Sequence, residues 1–311
     1  MGPSLKKIKE LSIKSGIVKD PIIKFLAEGN GNYNYIVEED NKKYVFRIKK
    51  STEKQFKDSL EKEYSFLKYF ENEGINFCPK VIYYSKNHLF LMENFLEGTH
   101  VSQKDFTDKQ IDTFASQLWQ LFNLDTEKFH NFCKSEGIKD IQPIDPLMTL
   151  NIYGFNRFEL VKNSKYKLEK KIIDWIEINL NKNKKYLEEL KSKNFKLSFS
   201  WGDIQSKVII NSNGLMQFYD FEHAQIYDGP GLSYIKIHGK FSKEQFKKLV
   251  ESYSKHSNRS LELLNNGIKH SEKIIRVNDV IWAAMKWATT GKQFYMDKLN
   301  ARIPLADKIL D

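Results

Sequence analysis

Short apolar runs separated by polar turns characterise the N-terminal part of the chain. Residues 33–37 and 43–48 are rich in β-branched and aromatic side chains and flank a polar turn, which predicts a β-hairpin. Residues 80–84 and 88–92 form a second pair of this kind. Between the two pairs, residues 60–70 carry apolar side chains at helical spacing, which predicts an amphipathic helix. With a short strand further upstream, we expect a sheet of five strands and one intervening helix.

The longer C-terminal part carries mainly the helical pattern. Residues 114–122 are expected to form a buried helix, and residues 165–191 a lysine-rich amphipathic helix. Residues 243–310 are expected to be mostly helical. Residues 141–155 contain two prolines and show no regular period, so we expect an irregular segment there. Strands are therefore expected first along the chain and helices afterwards.

One further β-hairpin is predicted within the helical part. Residues 208–210 and 215–219 are apolar runs, and the Asn-Gly pair at 213–214 is a strong turn signal because both residues tolerate positive φ. A hairpin brings its ends together, so Asp203 before it and Asp220 after it should face one another. Two close carboxylates are costly unless a positive charge lies between them, and a metal–phosphate complex supplies such a charge. An ordinary solvated hairpin with acidic ends is the alternative.

The residues around these two aspartates resemble those of the aminoglycoside phosphotransferase/choline kinase family, kinase-fold enzymes that phosphorylate small molecules. Trp201-Gly202-Asp203 and Tyr219-Asp220-Phe221-Glu222 follow the family pattern H-G-D-x-H-x-x-N, a hairpin, then I-D-[FW]-[ED]. The resemblance implies that Asp203 orients and deprotonates the acceptor hydroxyl. It also implies that Asp220 holds Mg²⁺, with Glu222 acting directly or through water.

Three residues depart from this family pattern. Trp201 replaces a histidine that braces the loop, Gln205 stands where histidine is frequent, and Val208 replaces the metal-binding asparagine. A valine side chain cannot coordinate Mg²⁺, which requires oxygen ligands. The departures leave a second interpretation open, a catalytically impaired nucleotide-binding protein or pseudokinase. If the protein is a working kinase, Val208→Asn is expected to raise its rate.

The resemblance extends to the predicted sheet. Gly29 and Asn32 match a G-x-x-N nucleotide loop, and Arg47 occupies the place of the phosphate-binding lysine in the third strand. A guanidinium suits bidentate binding of phosphate. Glu63 matches the helix glutamate that pairs with this cation, and Glu61 is the alternative. An ion pair between Arg47 and Glu63 is therefore predicted.

The segment Glu93-Asn94-Phe95 resembles the family's hinge, whose backbone meets adenine. The resemblance therefore implies a bilobal, protein-kinase-like α+β fold. Its small β-rich N-terminal lobe would bind the nucleotide, residues 1–93, and its larger helical C-terminal lobe would hold the catalytic and substrate sites, residues 94–311. The implied cofactors are ATP and Mg²⁺. The implied partner is a small-molecule hydroxyl acceptor such as choline or another amino alcohol, a sugar or an aminoglycoside.

A late helix offers a candidate acceptor pocket. Choline kinase-like proteins recognise a cationic head group with aromatic and acidic side chains, and the segment 279–287 contains Trp282 and Met285 on one helical face. A cation over a tryptophan ring gains roughly 0.5–2 kcal/mol. The alternative is that this aromatic stripe belongs to the core.

Composition and charge limit the expected location and partners of the protein. The chain shows no apolar run long enough to span a membrane and no signal peptide, and its only cysteines are Cys78 and Cys133, so we expect a reduced, cytoplasmic protein. The net charge of +10 comes from lysines spread along the chain without a basic block. Nucleic acid is therefore not an expected partner, although a basic RNA- or membrane-surface binder remains a third interpretation. The charge also argues against a polycationic substrate.

Overall fold

A computed structural model provides the fold of most of the chain. It describes residues 2–29, 31–50, 59–87, 89–143, 146–190, 197–201, 207–228 and 232–310. Asp203 and Gln205, which the sequence singled out, lie outside the described residues.

The N-terminal part is built on a five-stranded antiparallel sheet with strand order β1-β2-β3-β5-β4. Its strands are β1 (Ile22–Glu28), β2 (Asn32–Glu39), β3 (Lys42–Lys49), β4 (Val81–Ser85) and β5 (Phe90–Asn94). Asp40 and Asn41 join β2 to β3 with φ values of 49° and 63°. Two consecutive left-handed residues are typical of a tight hairpin turn whose twist matches the strands. The predicted five-stranded sheet is confirmed.

Two helices cover this sheet. Helix α1 (Leu5–Lys14) begins at Ser4, whose side chain accepts a hydrogen bond from the Lys7 N–H, and packs Ile8 into a small core with Phe46. Helix α2 (Ser59–Asn72) is the predicted amphipathic helix. Its apolar face enters the main core of the C-terminal part, so α2 links the sheet to the helices.

The C-terminal part is mostly helical, as expected. Its helices are α3 (Asp108–Phe122), α4 (Thr126–Ser135), α5 (Pro146–Leu150), α6 (Asn156–Asn163), α7 (Lys170–Leu190), α8 (Leu232–His238), α9 (Lys243–Ser257), α10 (Leu261–Thr290) and α11 (Gln293–Leu310), with a 3₁₀ turn at Gln103–Asp105 and a π-helical turn at Asn151–Phe155. The expectation of an irregular segment at 141–155 was wrong from Pro146 onwards. A proline is tolerated in the first turn of a helix, because its missing N–H would have no intrahelical partner there.

Five short strands are described in the C-terminal part, and two of them form the predicted hairpin. The five are β6 (Thr99–His100), β7 (Leu197–Ser200), β8 (Val208–Ile210), β9 (Met216–Phe218) and β10 (Gln225–Asp228). Strands β6, β8 and β9 form one small sheet, and β7 pairs with β10. The hairpin is present between β8 and β9, but only Gly214 of the Asn-Gly pair has positive φ, at 77°. The Asn211 side chain accepts the N–H groups of Asn213 and Leu215, which fixes this wider turn.

The fold is kinase-like, with a β-rich region followed by a helical one, as the sequence predicts. Among the helices of the described ranges, none is long and apolar enough to cross a membrane.

Candidate active site

A cavity of about 520 Å³ lies between the five-stranded sheet and the β8–β9 hairpin. Most residues singled out from the sequence line it: Gly29, Asn32, Arg47, Glu93, Asn94, Phe95, Asp220 and Glu222. Glu63 lies behind Arg47, and Asp203 is outside the described residues. The fold thus brings together residues from the loop after β1, strand β3, the end of β5 and the segment after β9.

Arg47 is the centre of this site. The alternation of β3 points Phe46 into the core and Arg47 into the cavity, where its side chain is only 7% exposed. Nη1 of Arg47 lies 2.5 Å from Oε1 of Glu63, so the predicted ion pair is present. Nη2 lies 2.8 Å from Oδ1 of Asp220 and 3.5 Å from Oε2 of Glu222. Burial opposes the charge of Arg47, but these carboxylates outweigh it and raise the guanidinium pKa well above its ordinary value.

Glu63 fixes the position of α2 relative to strand β3 and to the segment after β9. Its Oε1 also accepts a hydrogen bond from the backbone N–H of Phe221 at 2.8 Å, so one carboxylate oxygen joins α2, β3 and the segment after β9. The alternative residue, Glu61, lies near the surface and pairs with Lys86 and Lys139. Of the two candidates from the sequence, Glu63 is therefore the partner of Arg47.

Asp220 is held between two cations. Arg47 binds its Oδ1, and the ammonium of Lys207 binds its Oδ2. Burial alone would raise the pKa of Asp220, but Arg47 and Lys207 lower it to about 2. Its backbone has a φ of 67°, a left-handed conformation that is uncommon for a residue other than glycine. Such conformations persist where the surroundings over-determine them, which is frequent at functional sites.

Trp201 stabilises the segment that carries Asp220. Its indole N–H donates to the carbonyl oxygens of Tyr219 and Asp220, at 3.2 and 3.3 Å. Its ring stacks on Phe218 and Phe221, with centroid separations of 4.6 and 5.3 Å. We expected the replacement of histidine by Trp201 to remove a brace. The indole supplies both a donor and a large packing surface to the segment of Asp220, whereas the loop 202–206 lies outside the described residues.

Lys207 is a site residue that sequence reasoning missed. Val208 is 0% exposed and packs in the main core, so its neighbour Lys207 points to the opposite side of the strand, toward Asp220. The alternation of side chains along β8 and the residue before it is the sequence signal that could have identified Lys207. The same burial removes the reason to expect that Val208→Asn would supply a metal ligand, since an amide there would point into the core.

The loop after β1 contacts the acidic end of the site. Nδ2 of Asn32 donates to Oε2 of Glu222 at 2.5 Å, and Asn32 is 2% exposed. The backbone N–H of Gly29 donates to the carbonyl of Asn32 at 2.9 Å, which closes the loop on itself. Asn32 and Glu222 therefore connect the predicted nucleotide loop to the predicted metal-binding segment.

The hinge residues line the cavity, and some of their backbone N–H groups already donate hydrogen bonds within the protein. The N–H groups of Asn94 and Phe95 donate to the carbonyls of Lys80 and Lys43, at 3.0 and 3.1 Å. A purine in the cavity would therefore contact these two residues through other groups. Glu93 is buried, and this burial, with Asp220 adding to it and Arg47 opposing it, raises its pKa to about 7.

The carboxylates fit a hard cation. Asp220 and Glu222 converge on one guanidinium nitrogen of Arg47, so their oxygens lie close together. Mg²⁺ usually takes one or two protein carboxylates, several waters and phosphate oxygens. No larger cluster of acidic, histidine or cysteine side chains suited to a metal occurs among the residues that the structure describes. The donor set therefore fits Mg²⁺ bound together with phosphate, but not a metal cage made of protein ligands alone.

A second cavity, of about 470 Å³, lies next to the same segment. Glu222 lines the first cavity and His223, the next residue, lines the second. Helices α2, α6, α8, α10 and α11 provide the other walls. Trp282 lines this cavity, as the candidate acceptor pocket requires, and Met285 packs against the core of the C-terminal helices.

Comparison with known proteins shows what the chain is similar to. Residues 22–152 match the model of the phosphotransferase enzyme family, and no curated protein matches the chain. A choline kinase structure from Cryptosporidium parvum Iowa II is 14% identical, with 99% of this chain and 97% of that chain covered and a TM-score of 0.69. The gentamicin–APH(2")-IIa complex is 14% identical, with 100% and 97% covered and a TM-score of 0.69. LicA in complex with AMP is 13% identical, with 99% and 100% covered and a TM-score of 0.67.

The kinase-like fold expected from the sequence is therefore confirmed over the whole chain. The resemblance to the aminoglycoside phosphotransferase/choline kinase family is also confirmed.

Proposed function

We propose that the protein transfers the terminal phosphoryl group of ATP to a hydroxyl group of a small molecule. The observation that carries this proposal is the buried contact of Arg47 with Glu63, Asp220 and Glu222 at the wall of one cavity. Kinases use a cation, its helix glutamate and a metal-binding aspartate in this arrangement to hold nucleotide phosphates. Similar structures named as a choline kinase, a gentamicin complex and an AMP complex agree with a nucleotide and a small acceptor.

The cavity has both apolar and charged lining residues. Its apolar side chains are those of Leu26, Ala27, Val45, Leu96 and Ile209, among others. We place the nucleotide base there, because a flat base gains most from apolar walls. The phosphates then extend toward Asn32, Arg47 and Asp220. Arg47 suits this task because its planar guanidinium presents paired N–H donors to phosphate oxygens.

In the proposed reaction, the acceptor hydroxyl oxygen forms a bond to the terminal phosphorus while the bond to the bridging oxygen of ADP breaks. Asp203 takes the hydroxyl proton, as the family resemblance implies. Arg47 and Lys207 donate N–H groups to phosphate oxygens as negative charge redistributes. When bound, Mg²⁺ would neutralise phosphate charge, held by Asp220 and Glu222.

The two parts of the chain have separate tasks in this proposal. Residues 1–93 act as the nucleotide-binding lobe, and residues 94–311 as the catalytic and substrate lobe. Cys78 and Cys133 are both free and buried, which agrees with a reduced, cytoplasmic setting.

One observation favours a second function, that of a nucleotide-binding protein without efficient transfer. Both carboxylate oxygens of Asp220 are bound by protein cations, and the side chain of Val208 is buried away from the site. A magnesium ion would have to replace at least one cation at Asp220. A protein that binds nucleotide without metal would need no such exchange.

A thermal-shift titration with ATP, with and without Mg²⁺, tests the proposal, together with an assay of phosphoryl transfer. Ligand at a hundredfold excess over its Kd stabilises a protein by about 2.7 kcal/mol. A kinase should show metal-dependent stabilisation, and Asp220→Asn should remove the metal dependence while the protein stays folded. Asp174→Asn, on the exposed face of α7, is the matched control. Stabilisation without metal dependence would support the second function, and no stabilisation would contradict both.

A further inference from the structure

The second cavity has an excess of positive charge. Lys62, Arg157, Lys298 and Arg302 line it, together with two histidines, whereas Asp279 is the single carboxylate among its described lining residues. A cavity whose lining residues carry a net positive charge concentrates anions and repels cations.

Three of the basic side chains on this cavity have no carboxylate within ion-pair distance among the described residues. Within the described ranges, Arg157 and Lys298 form no ion pair with a carboxylate, and Arg302 donates its Nη1 to the backbone carbonyl of Asp279 at 2.8 Å. Burial lowers the pKa of Lys298, and the charge of Arg302 lowers it further. Two neighbouring cations would be stabilised by an anion between them.

Trp282 is already covered by cations of the chain itself. Lys298 Nζ lies 5.5 Å from the ring centroid of Trp282, and Arg302 Cζ lies 5.1 Å from it. A cationic head group on this ring would have to displace a side chain and would be repelled by the other. Trp282 is thus an aromatic residue of the kind that a cation pocket needs. Its ring, however, is already in contact with two cations, and the charged side chains around it are mostly basic.

We propose that this cavity binds the phosphate acceptor through an anionic group, a phosphate or a carboxylate, carried by a small hydroxyl compound. This inference rests on the proposed function, because it places the acceptor beside the segment that contains Asp220. Arg157, Lys298 and Arg302 bind the anionic group, and His223 marks the end of the cavity that faces the nucleotide. Choline and other quaternary ammonium compounds are then poor acceptors.

Binding is tested in saturating Mg·ADP, so that the nucleotide cavity is filled, with phosphate, acetate and tetramethylammonium as probes. Phosphate or acetate should stabilise the protein against heat, whereas tetramethylammonium at equal ionic strength should not. Lys298→Glu should weaken anion binding at least tenfold, and Lys308→Gln, on an exposed position of the same helix, should leave it unchanged. Tetramethylammonium binding in preference to both anions, or equal anion binding by Lys298→Glu, would overturn the inference.

Turnover separates this inference from the proposed function. Glycerol, glycerol 3-phosphate, glycerate and choline are compared as acceptors by kcat/KM, and the two anionic compounds distinguish phosphate from carboxylate. The anionic acceptors should exceed glycerol, and Lys298→Glu should reduce that preference at least tenfold without changing the KM for ATP. Faster transfer to choline would overturn the anionic class alone. Absence of Mg·ADP binding would instead contradict the proposed function.

Discussion

At the scale of single residues, the site depends on two adjacent residues, Lys207 just before β8 and Val208 at its start. Val208 fills the core and Lys207 reaches Asp220, so the position that the family motif assigns to a metal ligand is structural here. The ammonium of Lys207 instead supplies positive charge beside Asp220, the proposed metal-binding residue. Because transferring phosphoryl groups are stabilised mainly by positioned charge, a lysine can serve part of this purpose.

We predict opposite consequences for these two neighbours. Val208→Asn buries an amide without a partner, which should cost about 1–3 kcal/mol of stability and leave phosphoryl transfer no faster. Lys207→Met should lower the rate of transfer by roughly 10²–10³ while the protein stays folded. Melting temperature and single-turnover rate are measured together for both variants. A faster Val208→Asn enzyme would show that residue 208 reaches the site after all.

Glu93 gives a second prediction at this scale, for pH. Its pKa is raised from 4.5 in the ordinary group to about 7 by burial and Asp220, against the effect of Arg47. Because the folded protein holds this proton more tightly than the unfolded chain, the contribution of Glu93 to stability is full below about pH 4.5 and falls as the pH rises toward 7. Glu93→Gln cannot lose a proton, so the variant should match the parent near pH 4.5 and exceed it near pH 8 by roughly 1–3 kcal/mol.

Denaturant unfolding across this pH range measures the difference. Glu97→Gln, at an exposed position four residues later, is the control and should show no such trend. A stability difference between Glu93→Gln and the parent that does not change with pH would contradict the raised pKa.

Sequence reasoning succeeded where chemistry and periodicity agreed. Arg47 and Glu63 were placed correctly because alternation in β3 and helical spacing in α2 each fix one direction. Lys207 was missed because a motif aligned by residue type predicts which residue is present, not which way the strand turns it. The bracing role of Trp201 depends on stacking with Phe218 and Phe221, which only the folded chain brings together.

At the scale of elements, α2 is the part that transmits order between the sheet and the hairpin. Glu63 binds Arg47 of β3 and the N–H of Phe221, while Phe70 packs edge-on against the Phe221 ring at 5.4 Å. Both a polar and an apolar contact thus fix α2 to the segment that carries Asp220. A shift of α2 would move Arg47 and the segment that carries Asp220 together.

A pair of glutamates on α2 tests this role. Glu63→Gln weakens the buried contact with Arg47, which keeps Asp220 and Glu222 as partners, and we expect a loss of about 1–3 kcal/mol in stability. Glu61→Gln removes only near-surface ion pairs and should cost less than about 1 kcal/mol. Denaturant midpoints of the two variants provide the measurement. Equal losses would mean that Glu63 contributes no more than an ordinary near-surface charge.

At the scale of the whole molecule, the division by function differs from the division by packing. The proposed nucleotide-binding lobe ends at residue 93, yet the apolar face of α2 belongs to the core of the helical part. Phe66 stacks on Phe129 at 5.2 Å and meets Phe199 edge-on at 5.7 Å. The small core around α1 and the sheet is separate from this larger core. The larger core therefore includes α2 of the proposed nucleotide-binding lobe as well as helices of the C-terminal part, so this interior is shared between them.

The shared interior leads to a prediction about a fragment. Residues 1–93 expressed alone should not fold, because Phe66, Leu67, Tyr69 and Phe70 would lose their partners and expose a large apolar face. In the full chain, Phe66→Ala should lower stability by about 3–5 kcal/mol and shift one cooperative transition, as probes in the sheet and in the helices would both report. Amide spectra of the fragment and two-probe unfolding of the full-length variant measure these effects. A fragment with a dispersed spectrum, or a variant in which the sheet unfolds separately, would show that the N-terminal lobe folds independently.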